Sequence, residues 1–210
     1  NDRMADAKQD PVWARIDSLA SLGQYTTALE ATQAVLASAH AGRDWRTEFR
    51  AWMYKGRFMQ YTGVEQKAII AALESRAATA ETPLKQLLQS VVAQQWWSYY
   101  QQNRWRIMDR TNLAEATDDP DTWDQATFMR KVIAGYAASL EPADGLSAIP
   151  VGELAPLLEP EQADLRLRPT LFDLLAHRAL EVFRNSETRL AEHAGRFQLA
   201  QAGREHVRRH

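Results

Sequence analysis

The chain has 210 residues, no cysteine, a formal net charge of −2, and 45% hydrophobic against 25% charged residues. With no thiol, thiolate nucleophiles, thiolate zinc sites, disulfides and thioester chemistry are excluded within it. Its near-neutral charge gives no global attraction to nucleic acid or anionic membrane, and no apolar run approaches the ~20 residues of a membrane helix. No signal-peptide pattern opens it, and a start at Asn1 in place of Met is what a trimmed or mature product would show.

The pattern is helical nearly throughout, with no alternating strand-like stretch, so an all-α fold is expected. Asp10-Pro11, Thr82-Pro83 and Asp119-Pro120 each place a cap-type residue before a proline suited to a first helical turn. A first helix is expected from Pro11 to Leu22, with Val12, Ile16 and Leu19 on one face and Trp13 beside them, ending at Gly23. The next runs to about His40 and places small Ala28 where two helices would approach closely. A second hairpin follows, Trp45 to about Thr62 and Val64 to about Thr79, turning at Gly63. The spacing Gly63 to Ala68 repeats Gly23 to Ala28. These features describe stacked antiparallel hairpins, a degenerate tetratricopeptide-like solenoid or bundle.

Pro83 opens the longest helix, to about Met108, and it is apolar over most of its circumference. Leu88, Val92, Trp96 and Tyr100 form an i, i+4 ridge, Leu84, Leu87 and Val91 a neighbouring face, and Trp97 and Trp105 point elsewhere. Such a helix is packed on several sides, and Asn103 is expected to be a buried hydrogen-bonder. A further helix is expected from Thr122 to Leu140, with Thr122 to Gln125 as a capping box. The segment from Glu141 to Leu165 has four prolines, six acidic residues and no basic ones. It reads as an extended acidic connector with at most a short helix around Val151 to Leu158. Helix resumes with Leu171, Leu174, Leu175, Leu180 and Phe183 as its apolar face, and the Arg-rich end from Ser186 to His210 is expected to fray. The expected divisions are hairpin repeats over 1–140, the connector over 141–168, and a C-terminal helical segment over 169–210 that packs on the same domain.

The residues offer little catalytic machinery. No nucleophile elbow or phosphate loop is present. Asp118, Asp119, Asp121 and Asp124 resemble a calcium loop in charge alone, lacking the central Gly and terminal Glu, and helix capping accounts for Asp119 and Asp121. His177 on a regular helix reads as a packed or hydrogen-bonded structural histidine. His206 and His210 stand at i, i+4 without a zincin-type carboxylate, and Arg204 with His210 has the loose spacing of some all-helical ribonucleases. No enzyme activity, cofactor or metal is expected. Arg104, Arg106 and Arg110 complement the end of the long helix or pair with the following acidic loop. Alternatively, together with the outlying Trp97, they form a partner-binding patch. Trp97, Tyr100 and Arg104 would be the platform of an RNA- or glycan-binding module if their rings were exposed.

Three stretches, Tyr99 to Thr111 ("YYQQNRWRIMDRT"), Thr122 to Phe128 ("TWDQATF") and Leu167 to Phe183 ("LRPTLFDLLAHRALEVF"), carry a resemblance. In that order they are similar to the helical N-terminal region of large bacterial alpha-2-macroglobulin-like proteins of the Bacteroidetes type. The resemblance implies an exported, periplasmic or cell-surface parent, often lipid-anchored, whose β-sandwich domains restrain proteases. Within it this chain would be a non-catalytic scaffold or docking module. Its partners would be other domains of its own polypeptide or a separate protein. A small helical enzyme and a free-standing tetratricopeptide-like adaptor are the other readings.

Overall fold

Pro11 carries the backbone angle of a first helical turn, and the Asp10 carboxylate accepts from the Val12 amide at 3.0 Å, so the first helix starts where proline and cap coincide. A computed structural model describes residues 10–110, 117–152, 154 and 169–185. The described residues hold eight α-helices: α1 (Pro11–Ser21), α2 (Tyr25–Ala41), α3 (Trp45–Tyr61), α4 (Gln66–Thr79), α5 (Leu84–Met108), α6 (Gln125–Ala138), α7 (Ala143–Ser147) and α8 (Leu171–Phe183). The all-α architecture of packed helix pairs is as the periodicity predicts. The chain divides into two compact units, Asn1–Leu73 and Glu74–His210, and the boundary falls inside α4.

In unit one, Trp13, Ile16, Ala28, Ala51 and Phe58 form the core, with Leu19, Tyr25, Leu29 and Tyr54 packed against it. Both hairpin turns use a glycine with positive φ, Gly23 at 72° and Gly63 at 84°. Each is followed by the same closing bond, Gln24 amide to Leu19 carbonyl and Val64 amide to Met59 carbonyl. The repeat is imperfect past the turn. Ala28 is buried as expected, but Ala68 is exposed, because α4 starts one residue later after its glycine than α2 does. Ile69 therefore takes the inward position, and its Cγ2 would lie 3.7 Å from a Cβ placed on Gly56. A branched residue thus fits where its partner helix lacks a side chain.

In unit two, three caps differ from expectation or refine it. Pro83 itself occupies the N-cap position of α5, so Thr82 is not the cap. α6 is capped by Asp124, which accepts from the Thr127 amide at 2.8 Å. Thr122 instead ends a 3-10 turn (Pro120–Thr122), its hydroxyl donating to the Asp119 carbonyl at 2.7 Å. The proposed Thr122–Gln125 box is therefore replaced by a carboxylate two residues on, a stronger acceptor next to the helix N-terminus. The capping box that does form lies at α8, between Thr170 and Asp173.

The described part of the expected connector, 141–152 and 154, is packed. Leu146, Val151 and Leu154 are buried, and its one described α-helix is α7, earlier than the expected Val151 to Leu158. Part of that expected stretch, 155–158, lies outside the described residues, as does 186–210. Gln86 on α5 donates to the Glu141 carbonyl at 2.6 Å. Pro150 and Thr170 form an antiparallel bridge, with the Leu171 amide 2.8 Å from the Ile149 carbonyl. Residues 141–152 and α8 fall with α5 and α6 in the second compact unit. α8 packs on α5, α6 and α7, and its Leu171, Leu174, Leu175, Ala179 and Val182 are buried.

The turn geometry makes two opposite predictions. A Cβ at Gly23 meets nothing within 4 Å, so the cost of Gly23→Ala is conformational, roughly 1 kcal/mol. Arg43 sits at φ 55° without being glycine, so Arg43→Gly should hold or raise stability. Urea denaturation of both variants measures the difference.

Burial raises the phenol pKa of Tyr136, with Glu181 adding to the shift and Arg178 opposing it. A group whose folded pKa exceeds its unfolded one contributes stability that is whole below the unfolded value, near 10, and is lost as pH rises through the folded one. Thermal melts at increasing pH should therefore show wild type losing stability above pH 10 faster than Tyr136→Phe.

Candidate functional site

α5 carries every residue singled out for partner contact except Arg110, and its two ends differ. Over the stretch from Leu84 to Tyr100, the side chains of Leu84, Leu87, Leu88, Val91, Val92, Ala93, Trp96 and Tyr100 are buried. α6 reaches α5 where glycine meets alanine: a Cβ on Gly135 would lie 3.0 Å from that of Ala93. Close approach seats Phe128 of α6, fully buried, among Trp96, Tyr99, Tyr100 and Trp123 at ring separations of 6.0, 5.8, 6.2 and 5.2 Å. Trp96 is tied further by its indole N–H, which donates to Glu74 at 3.0 Å. Core packing accounts for these aromatics, and with Tyr100 buried no three-residue Trp97–Tyr100–Arg104 platform exists on the surface.

The last turns of α5 are partly bare. At about 100° per residue, Trp97, Gln101, Arg104, Trp105 and Met108 fall within roughly one quarter to one third of the helix circumference. Gln101, Trp105 and Met108 are exposed, Trp105 to 81% and Met108 to 47%, while Trp97 and Arg104 are half-buried. Trp97 lies stacked on Tyr100, centroids 5.8 Å apart, which fixes its ring.

Arg106 and Arg110 face another way. Arg106 donates to Asn103 Oδ1 at 3.0 Å and to the Tyr99 hydroxyl at 3.4 Å, and that hydroxyl in turn lies 3.3 Å from Asp121 Oδ1. Asn103 is half-buried and donates to the Tyr99 carbonyl at 2.8 Å. Arg110 donates to the carbonyls of Pro120 and Trp123 at 3.2 and 2.8 Å, pinning the loop before α6 through backbone acceptors where carboxylates were expected. The four residues singled out thus separate: Trp97 and Arg104 join one stripe, Arg106 and Arg110 serve the loop. Trp105, the most exposed large apolar side chain, belongs to the stripe, and its position opposite the core ridge was the available sign.

A groove of about 590 Å³ lies beside the same helix, lined by Glu74, Ala77, Lys85, Gln89, Trp96, Lys131 and Ala134, among others. Lys131 pairs with Glu74 at 3.4 Å and lies 5.6 Å from the Trp123 ring centre, so the charges at its rim are partly neutralised by one another.

Other polar candidates among the described residues make capping and ion-pair contacts. Asp119 caps the 3-10 turn through the Asp121 amide, Asp124 caps α6, His40 meets Glu48 at 3.4 Å, and His177 meets Glu181 at 3.1 Å. Among the described residues no group of three or more His, Asp or Glu could hold a metal ion. His193, Arg204, His206 and His210 lie outside the described residues. No described helix is long and apolar enough to cross a membrane. No family model matches the chain, and neither the curated proteins nor the solved structures include a match.

Phe128 is the test of the aromatic arrangement. Phe128→Ala removes a fully buried ring and should cost about 3–5 kcal/mol of unfolding free energy, measured by chemical denaturation.

Proposed function

We propose that the chain is a non-catalytic helical scaffold and protein-interaction module. The observation that carries this reading is Trp105, 81% exposed beside Met108 near the end of a helix whose body is largely core. A large aromatic in water on a rigid helix is the residue type most enriched where binding energy concentrates. Trp97, held by Tyr100, and the guanidinium of Arg104 extend that patch by two turns. Rigid placement limits the side-chain entropy lost on docking. The resemblance of the Tyr99–Thr111, Thr122–Phe128 and Leu167–Phe183 motifs supports placing the module in an exported macroglobulin-like protein that restrains proteases. There the stripe on α5 would meet a neighbouring domain of the same polypeptide.

The test is calorimetric titration of this chain against the flanking domains of the full-length product of its gene. Trp105→Ala should weaken association by about 2 kcal/mol or more while shifting stability by less than about 0.5 kcal/mol. Association unaffected by Trp105→Ala, or none with any flanking domain, would remove the docking role.

A further inference from the structure

α3 carries four cations, Arg46, Arg50, Lys55 and Arg57, against a single acid, Glu48. Glu48 is buried, only 3% exposed, and faces His40, so the charge α3 offers to solvent is all positive although the chain as a whole is slightly negative. At about 100° per residue, Arg46, Arg50, Tyr54, Arg57 and Tyr61 lie within roughly one quarter of the circumference. That face is turned outward: Arg46, Arg57 and Tyr61 are exposed, Arg50 and Tyr54 half-buried.

The guanidiniums on this face lie against rings. Arg50 lies 4.2 Å from the Trp13 ring centre and 5.5 Å from that of Tyr54, and Arg57 lies 5.5 Å from the same Tyr54 ring centre. Tyr54 is itself fixed, its hydroxyl donating to Asp17 at 2.9 Å, and Tyr61 stacks on Tyr25 at 4.5 Å. Two acids border the face. Asp17 is engaged by Tyr54, and Asp44 caps α3 through the Thr47 amide beside Arg46. Neither Arg50 nor Arg57 has a carboxylate partner among the described residues. The Nε of Arg50 is buried, so the Nη end of Arg50 and the exposed guanidinium of Arg57 are the groups placed to take a carboxylate in two parallel bonds.

We propose that this outward face of α3 is a docking surface for an acidic, extended polypeptide segment. Arg50 and Arg57 are seven residues apart, about 10 Å along a helix axis. Three residues of a polyproline-type chain rise about 9 Å and return to the same side, so acidic residues three apart meet both guanidiniums. Tyr61, exposed and stacked on Tyr25, offers its ring to the residues alongside, while Tyr54 packs against the core and supports both guanidiniums. A polynucleotide fits less well: it calls for a basic groove along its backbone, whereas this strip is one helix wide on a chain of net charge −2.

The experiment is fluorescence anisotropy of short labelled peptides with the intact chain at low and physiological salt. One peptide carries Glu at every third position, and its counterpart carries Gln. The Glu peptide should bind in a salt-sensitive manner, the Gln peptide should not, and Arg57→Gln should weaken binding by about tenfold. Lys55→Gln, on the other side of the helix over Trp52, should leave binding unchanged. Arg50→Gln should match Arg57→Gln, and because Arg50 also packs on Trp13, the exposed Arg57 variant alone decides if that protein unfolds. No binding of the Glu peptide, equal binding of the Gln peptide, or equal loss in Lys55→Gln overturns the proposal. So does single-stranded RNA that displaces the Glu peptide and itself loses affinity in Arg57→Gln.

Discussion

The unit from Glu74 onward depends on one constraint: α5 is apolar over most of its circumference for four turns, so no single neighbour can cover it. The chain meets this by bringing α6 close at Ala93 and Gly135, where two small residues allow backbones to approach, and by laying α8 against both. Phe128 then fills the space between the helices and touches four other rings. The connector follows from the same need. Leu146, Val151 and Leu154 are buried in this unit, and Gln86 holds the start of the connector through the Glu141 carbonyl.

Helix existence and order were legible because long periodic runs and their punctuation agree. Asp10-Pro11, Gly23 and Gly63 each stand where the structure starts or ends a helix. What was not legible depends on competition between neighbours. Thr122 and Asp124 both suit a cap, and only the three-dimensional path of the 3-10 turn decides for the carboxylate. The Gly-to-Ala spacing of the hairpins misled for a similar reason. One extra residue before α4 turned Ala68 outward and Ile69 inward, a slip that a fixed offset cannot register. In the connector, prolines and acids masked three well-separated apolar residues that tertiary packing buries.

The candidate surfaces show a matching division. Trp97 and Arg104 stand out in sequence because they lie off the core ridge, and the structure keeps them on the outward stripe. Arg106 and Arg110 share their composition but not their direction, since the loop before α6 recruits them through Tyr99, Asn103 and two carbonyls. The α3 strip was hidden for another reason. Its guanidiniums alternate with tryptophan and tyrosine, so the segment reads as an amphipathic core helix, and the near-neutral total charge conceals a locally basic face. In both places a ring beneath a cation or beneath another ring fixes the exposed group.

A helix that is core for most of its length and surface at its end gives its tryptophans opposite environments. The direct measurement is fluorine NMR of the chain labelled with 5-fluorotryptophan, its resonances assigned by single substitutions and read for solvent isotope shift. Trp105 should show the full shift of a water-exposed indole, while Trp96, 3% exposed and hydrogen-bonded to Glu74, should show almost none. A protected Trp105, or a solvent-exposed Trp96, would contradict the division of α5 into a buried body and a presented end.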